Sequence, residues 1–572
     1  MERSGFLQDL AILQRVARGE EKADLVLKNG YVINVFTEEI LKADVAIVDD
    51  LIVGVGDYEG KKEIDCTGKY IAPGFIDVHM HIESTMVMPL ELSKALLKRG
   101  TTSIIADPHE IVNVKGKKAM RFLLDSIKGA PMNFLIMVPS SVPCTGFDTN
   151  GSGPFLAGDM EEFVGAPNVL GLGELMCFHD VINSEPNALA KLQLFKKDLR
   201  DGHAPGITGK EIQSYRLAGV NNDHECVDFA EVREKMRAGF NIYIREGSAA
   251  RNLESIVKGI LEHHIPFEQC AFCTDDKHLE DIDHEGHIDH CVRKAIALGV
   301  PPIKAIKMAS LFPARMCRLR KLGAVGARFK ADIVVLDSLE QVNPLFVIKS
   351  GHLITDDYLN SVHYTVTDKE LLNTVQYGEL TPERLALPRR EKNHVISLVK
   401  DQLLTEHLLE SIPGNEMFIP DAVYSKVAVL ERHGKNGNVA VAPLKGFGIK
   451  NGAVGSSVSH DSHNVVIAGD NDADIILAAR RIRELGGGYV VTSGGEVKAE
   501  LPLPIAGLMS DQPKDVVEAC VHRILDAAAA LGVSEDIDPM ITLSFVALPV
   551  IPSIRLLDTG LFDVEKFDMI RD

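Results

Sequence analysis

Residues 74–318 alternate between short apolar segments that end in polar clusters and longer segments with the apolar spacing of helices. Eight such units over roughly 245 residues match the size of a (β/α)8 TIM-like barrel, an α/β fold. The fifth and sixth segments have weak strand propensity, and they are assigned from the rhythm and from their polar ends. The predicted strands are 74–81, 101–108, 133–140, 168–175, 201–206, 219–225, 241–248 and 270–276.

The regions on either side of this barrel carry different patterns. Residues 24–72 and 322–354 both contain short strands of alternating apolar and polar residues, so we expect them to meet as one small composite β-sandwich. Residues 396–572 mix glycine-rich strands with amphipathic helices, which predicts an additional α+β domain. The predicted domains are 1–73, the first part of the sandwich; 74–318, the barrel; 319–395, the second part of the sandwich with a connector; and 396–572, the C-terminal domain.

The composition of the chain argues against nucleic-acid and membrane partners. The 572 residues carry a formal net charge of −20, and an acidic surface repels phosphates, so no nucleic-acid partner is expected. No apolar run reaches the ~18 residues of a membrane span, and the charged opening residues lack the apolar stretch of a signal peptide. These features and the scattered cysteines predict a cytoplasmic protein without a membrane partner. A homo-oligomer, most simply a dimer, is expected because symmetric assemblies are common.

Histidine and carboxylate residues end six of the eight predicted strands. In a (β/α)8 barrel the carboxyl ends of the strands form one mouth, where the functional residues lie. His79 and His81 stand two apart in a strand, so both imidazoles point to the same side and can share one metal ion. The residues at these strand ends are His79, His81, Asp107, Glu174, His203, His224 and Asp275.

The motif PGFIDVHMHIEST (73–85) closely resembles the first-strand motif of the amidohydrolase superfamily. Further motifs resemble the adenine deaminase family of that superfamily, and they run through most of the chain. The resemblance implies a metal-dependent hydrolase of purine salvage that converts a small-molecule substrate, adenine, into hypoxanthine and ammonia. The further motifs are DPHEIVNV (107–114), GLGELM (171–176), DGHAPG (201–206), NDHE (222–225), REGSAARNL (245–253), CTDDKH (273–278) and KGFGIKNGAVGSSVSHDSHN (445–464).

The resemblance also implies two divalent metal ions and a set of ligands. Two histidine pairs would each bind one ion, Glu174 would bridge the ions, and Asp275 would cap the first. Members of the superfamily commonly use a carbamylated lysine as the bridge, but no lysine occurs in the third or fourth predicted strand. Imidazole and carboxylate ligands suit zinc, iron or manganese, and the resemblance favours Mn²⁺ or Fe²⁺. The histidine pairs are His79 with His81 and His203 with His224.

Deamination needs a proton acceptor and a proton donor beside an activated water. Asp275 would accept the proton of that water and pass it to the departing amine. Asp276 is an alternative, because adjacent strand residues face opposite ways and only one can enter the site. Glu110 and Glu225 are both candidates for protonating N1 of the ring, and each is equally well explained as an indirect contact.

Four further residues are predicted on the substrate side of the site. Arg245 and Glu246 end the seventh predicted strand, where they would contact substrate or form only a structural ion pair. Asp107 and His109 would contact substrate, orient metal ligands or hold an additional metal.

Two histidine-rich stretches have less defined roles. His287 and His290 are three apart on a predicted helix and are expected on the surface, with a lid over the site as the alternative. The segment SHDSHN (459–464) is interpreted either as a surface turn or as a loop that reaches the barrel mouth.

Two other functions share parts of this pattern. A dihydroorotase-like or deacetylase-like hydrolase would use the same barrel and ligands, but the motifs DPHE and REGSAARNL and the missing lysine favour a deaminase. A non-catalytic relative would have lost ligand positions, whereas every expected position is filled here.

Overall fold

The computed structural model describes residues 3–363, 365, 368–400 and 402–571. Three residues of the predicted connector, at 364, 366 and 367, lie outside this range, as do the first two residues of the predicted N-terminal segment. No helix among the described residues is both long and apolar enough to cross a membrane.

The first sheet joins two segments that are distant in the sequence. Strand β5 pairs antiparallel with β14, with Ile71 opposite Val335, so both predicted segments contribute to one eight-stranded sheet. Apolar side chains from both segments, such as Leu27 and Ile333, pack in one buried cluster. The elements are α1 (Arg3–Ala17), β1 (Ala23–Asn34), β2 (Glu39–Val48), β3 (Leu51–Gly56), β4 (Gly60–Asp65) and β5 (Tyr70–Pro73), and later in the chain β14 (Ile333–Leu336), β15 (Pro344–Lys349) and β16 (His352–Leu353).

Parallel strands and helices then alternate as the sequence predicts. The strands are β6 (Phe75–Met80), β7 (Thr101–Ala106), β8 (Asn133–Val138), β9 (Val169–Leu175), β10 (Leu199–Gly202), β11 (Asn222–Asp223), β12 (Asn241–Arg245) and β13 (Cys270–Cys273). The helices are α2 (Pro89–Lys98), α3 (His109–Ser126), α4 (Ala157–Met160), α5 (Phe178–Ile182), α6 (Pro186–Leu194), α7 (Gly209–Leu217), α8 (Phe229–Arg237), α9 (Leu253–Glu262), α10 (Leu279–His284), α11 (Ile288–Ala297), α12 (Pro302–Met308) and α13 (Leu311–Met316).

The eight strands form a TIM-like barrel. Strands β6 to β10 make one parallel sheet and β11 to β13 another. A parallel bridge between Met80 and Asp275 joins the first strand to the end of the last. Every residue of β6 and β7 is buried, as expected for parallel strands that are covered on both faces.

The weak sixth strand is short in the structure as well. Strand β11 has only two residues, and the Asn222 side chain supplements its backbone pairing. Its carbonyl oxygen accepts a hydrogen bond from the amide of Gly202 at 2.8 Å, and its nitrogen donates to Asp201 at 2.7 Å. The amide side chain therefore joins the fifth and sixth strands where a longer ladder is absent.

The C-terminal region contains a second eight-stranded sheet, which is mostly antiparallel and is covered by helix α15. That helix begins where the Asn471 side chain accepts a hydrogen bond from the amide of Asp474, and it ends at Gly486, whose φ is +76°. Helix α14 (Asp356–Ser361) lies in the connector. The elements that follow it are β17 (Asn393–Leu398), β18 (Thr405–Glu410), β19 (Tyr424–Leu430), β20 (Val439–Lys445), β21 (Ala453–Ser456), β22 (Val465–Gly469), α15 (Asp472–Leu485), β23 (Gly488–Ser493), β24 (Glu496–Pro502), α16 (Lys514–Ala530), α17 (Pro539–Phe545), β25 (Ile554–Leu557), β26 (Gly560–Asp563) and β27 (Asp568–Met569).

Candidate active site

A cavity of about 640 Å³ lies at the carboxyl ends of the barrel strands. Its wall contains nine of the twelve site residues predicted from the sequence. The C-terminal region also lines it, with His460 and Asp461 as its titratable residues there. The predicted residues in the wall are His81, His109, Glu110, Glu174, His203, His224, Glu225, Arg245 and Asp275.

Glu174 lies at the centre of the histidine cluster. Its Oε1 is 3.7 Å from Nε2 of His79 and 3.4 Å from Nε2 of His81. Its Oε2 is 2.7 Å from Nδ1 of His203 and 3.4 Å from Nε2 of His224. The two oxygens of one carboxylate therefore face two different histidine pairs, which is the arrangement that a bridging ligand requires.

Asp275 lies against the first of these pairs. Its Oδ1 is 3.0 Å from Nε2 of His81 and 3.6 Å from Nε2 of His79. Its Oδ2 accepts a hydrogen bond from Nη1 of Arg245 at 2.8 Å. Asp276, the alternative, also lines the cavity, but its carboxylate is hydrogen-bonded to Ser84 rather than to a histidine. Of the two adjacent aspartates, Asp275 is the one that contacts the histidines.

The cluster fits divalent cations on two observations. The ligand atoms of three or more residues lie within 4.8 Å of one another in several combinations, including His79–His81–Glu174 and Glu174–His203–His224. Among the described residues, Nε2 of His79 is buried without a hydrogen-bond partner, although buried polar atoms are rarely left unpaired. A cation at each histidine pair would satisfy such atoms.

The electrostatics of the cluster agree with this fit. Burial opposes protonation of His81, and yet the neighbouring carboxylates of Asp275 and Glu174 raise the pKa of that imidazole to about 10. Burial would raise the pKa of the Glu174 carboxyl, but the surrounding histidines lower it well below its usual value. The cluster therefore favours added positive charge.

Asp107 lies behind the wall of the cavity rather than in it. Its Oδ2 accepts a hydrogen bond from the backbone amide of Glu174 at 2.8 Å, so it supports the carboxylate at the centre. His109 lies in the wall, with Nδ1 3.3 Å from Glu174 and Nε2 3.1 Å from Glu110. Of these two residues, only His109 faces the space where a substrate would lie.

Arg245 and Glu246 have different surroundings although they are adjacent. Arg245 contacts both oxygens of Glu225 in addition to Asp275. Glu246 lies outside the cavity wall, where its Oε1 accepts a hydrogen bond from Lys294 at 2.6 Å. The prediction that Glu246 contacts substrate is corrected by this placement. Neighbouring strand residues point to opposite sides, so Glu246 faces the outer helices and forms a structural ion pair.

His287 and His290 are not on the surface, so that prediction was wrong. His287 is fully buried, with Nε2 3.2 Å from Asp77 and Nδ1 3.0 Å from the hydroxyl of Thr101. The side chain of His290 is only 18% exposed and lies 3.8 Å from Glu246. Partners from distant strands make burial of these polar rings possible, and neither residue lies in the cavity wall as a lid would.

The segment 459–464 reaches the barrel mouth, which was one of its two interpretations. His460 contacts Oε1 of Glu110 through Nδ1, and His463 contacts Oε2 through Nε2. The ring of Phe545, which the sequence analysis did not single out, stacks on His460 with the centroids 4.4 Å apart. No spacing in the sequence connects Phe545 to the barrel, so only the fold reveals this contact.

Comparison with known proteins gives the family of the chain. Residues 70–356 match the sequence model of the amidohydrolase family, and residues 402–568 match that of the adenine deaminase C-terminal domain. An adenine deaminase of Desulfitobacterium hafniense is 46% identical over 567 residues, which cover 99% of each chain. An adenine deaminase of Clostridium acetobutylicum is 41% identical over 564 residues, which cover 97% of this chain and 98% of the relative. The chain therefore belongs to the adenine deaminase family of the amidohydrolases.

Proposed function

We propose that this chain is an adenine deaminase, a hydrolase that replaces the amino group at C6 of adenine by oxygen and releases ammonia. The observation that carries the proposal is the position of Glu174 between two histidine pairs, beside Asp275, at the mouth of a barrel. Relatives that match 97–99% of the chain and are named adenine deaminases support the same substrate.

The proposed cofactor is a pair of divalent ions, Mn²⁺ or Fe²⁺. His79, His81 and Asp275 would hold one ion, the second histidine pair would hold the other, and Glu174 would contact both. When bound, such ions lower the pKa of water towards 7 and so supply hydroxide at neutral pH. The second histidine pair is His203 and His224.

Asp275 is the proposed proton acceptor. Arg245 binds its Oδ2, so the carboxylate is fixed with Oδ1 towards the histidines. A carboxylate held in this way can take a proton from the attacking water and return it to the amine that leaves. Arg245 is accordingly assigned to orienting Asp275 and Glu225 rather than to direct contact with substrate.

Glu110 is the proposed donor of the proton to N1 of the ring. Glu225, the other candidate, is bound by Arg245 through both oxygens, and a permanent cation keeps a carboxylate ionised. Glu110 is instead bound by two imidazoles. Burial opposes protonation of His460, but Glu110 raises the pKa of that imidazole to about 9, so His460 carries a proton at neutral pH that it can pass to Glu110. Glu110 is therefore better suited to deliver a proton.

The finer division of the chain is also a proposal. We infer domains at 1–73, 74–318, 319–395 and 396–572, with the first and third forming the composite β-sandwich, because strands of both segments share one sheet. A homodimer and a cytoplasmic location stay predictions from the sequence.

Ammonia release tests the proposed reaction. The purified protein is assayed with adenine, other purines and cyclic amides such as hydantoin and dihydroorotate, with and without added Mn²⁺. We expect adenine to be the best substrate, with hypoxanthine formed in equal amount to ammonia. Hydrolysis of a cyclic amide without deamination of adenine would overturn the assignment.

Metal content tests the proposed ligands separately. We expect Glu174→Ala to lose metal as well as activity, because one carboxylate contacts both histidine pairs. Glu262→Ala, at an exposed acidic position in helix α9, is the matched control. Only trace metal in active wild-type protein would contradict the binuclear site.

A further inference from the structure

The C-terminal region contributes a segment, Ser459–Asn464, to a site whose candidate metal ligands all come from the barrel. We propose that His460 and His463 are positioning residues that hold Glu110 in its working orientation, so the barrel alone does not form a complete active site. This inference deepens the proposed function and rests on it.

Glu110 is held through both of its carboxylate oxygens. His460 contacts Oε1 through Nδ1, and His463 contacts Oε2 through Nε2. His109 of the barrel lies 3.1 Å from Oε1. The carboxylate is 1% exposed, and a buried carboxylate without donors would be costly. The two histidines therefore stabilise Glu110 at its place and restrict its rotation.

The tautomer of His463 follows from its second contact. The backbone amide of Ser459 donates a hydrogen bond to Nδ1 at 3.2 Å, so Nδ1 carries no proton. The proton of the neutral ring is then on Nε2, which donates to Glu110. Burial lowers the pKa of His463 to about 4, consistent with a neutral ring. His463 is thus a fixed donor.

The segment itself is held by groups of the C-terminal region. Arg432, which is fully buried, donates to the carbonyl of His463 and, at 3.0 Å, to the carbonyl of Ala506. The amide of His460 donates to the carbonyl of Ser544 at 2.8 Å, and the His460 ring stacks on Phe545. The donors to Glu110 are therefore fixed by a framework that is independent of the barrel strands.

The position of Glu110 explains why it needs these donors. It is the second residue of helix α3 and belongs to the wall of the cavity. Glu174, by contrast, is fixed within strand β9, where the backbone sets its direction. A long side chain at a helix start has several rotamers, so its orientation depends on what binds the carboxylate.

A double-mutant cycle tests this role. Turnover and KM are measured for the wild type, His463→Leu, Glu110→Gln and the double variant, each with its metal content and Tm. We expect His463→Leu to lower kcat by about 10- to 100-fold, the usual cost of misplacing a site residue, with KM and metal content little changed. In the Glu110→Gln background the same change should have little further effect, because the residue through which it acts is already altered.

The variant His463→Gln tests whether His463 positions Glu110 or only stabilises the fold. His463→Gln places an amide nitrogen near the position of Nε2, so we expect it to recover most of the turnover lost in His463→Leu. If His463→Leu does not fold, His460→Asn, which keeps a donor near the position of Nδ1, is compared with His460→Leu in the same way.

Two results would overturn the inference. One is a loss of kcat that is equal in the wild-type and Glu110→Gln backgrounds. The other is a fall in Tm without a change in kcat. If the wild type deaminates no purine, the proposed function fails instead, and the cycle is measured with whichever substrate of the panel is hydrolysed.

Discussion

Replacing Gly173 by alanine tests how Glu174 is held between the histidine pairs. Asp107 accepts a hydrogen bond from the amide of Glu174 at 2.8 Å. A Cβ atom on Gly173 would lie 2.1 Å from the same Asp107 oxygen and 2.7 Å from its Cγ. Since φ of Gly173 is not in the left-handed region, alanine would act through this contact alone.

The size of the effect follows from these distances. To restore an ordinary contact of 3.4 Å, the Asp107 carboxylate must move by about 1.3 Å, which breaks its hydrogen bond to Glu174. A hydrogen bond to a charged group contributes about 1.5–3 kcal/mol. Loss of a partner that orients a metal ligand typically weakens metal binding about 10- to 100-fold, which at 1.4 kcal/mol per tenfold is the same range.

The assay is a Mn²⁺ titration of metal-depleted protein, followed by kcat/KM at saturating Mn²⁺. We expect Gly173→Ala to bind Mn²⁺ about 10- to 100-fold more weakly than the wild type. Gly158→Ala is the control, because an added Cβ there meets no atom within 4 Å. Wild-type Mn²⁺ affinity and turnover in folded Gly173→Ala would refute the proposed support by Asp107.

Three further outcomes are expected. Asp275→Asn keeps its metal but loses about 10²- to 10⁴-fold in kcat, because a carboxamide is a poor proton acceptor; unchanged turnover of adenine would contradict the role. Glu246→Ala lowers the free energy of unfolding by about 3 kcal/mol without raising KM. The change leaves Lys294 without its buried partner, and because Lys294 is partly exposed, we expect the low end of the range for buried ion pairs. A raised KM with unchanged Tm would instead indicate substrate contact. Burial opposes ionisation of Glu285, but Lys277 and a neighbouring arginine lower its pKa to about 2, so its stabilising effect is present above about pH 4.5 and is lost as the pH falls towards 2. The Tm difference between wild type and Glu285→Gln should shrink over that range, and a constant difference would show that the charge is not responsible.

The barrel and most of its mouth were predictable because each strand and the polar residue that ends it are adjacent in the sequence. Each strand is a short apolar run, and the residue that ends it is polar. Parallel strands then bring His79, Glu174, His203 and Asp275 to one mouth without further information. The sixth strand was weak in the sequence because the Asn222 side chain supplies part of its pairing.

Burial of polar residues was not predictable, because it depends on partners distant in the sequence. His287 lies in the polar stretch HEGHIDH, which is typical of a solvent-exposed segment. Its burial requires the carboxylate of Asp77 and the hydroxyl of Thr101, which come from the first two barrel strands. Periodicity identifies the helix that follows His287 but not the groups beneath that residue.

The contact between Glu110 and the segment 459–464 gives a physical reason why the barrel and the C-terminal region occur together in one chain. The amidohydrolase match ends at residue 356, and the adenine deaminase C-terminal match begins at 402, so the two are separable as sequences. They are not separable at the cavity, because both oxygens of Glu110 are bound by imidazoles from the second region. A barrel with the same metal ligands but without that region would leave Glu110 the contact with His109 at Oε1 but no imidazole donor at Oε2. Under the proposed function, the C-terminal region of this chain therefore supplies the donors that orient the Glu110 carboxyl towards the substrate.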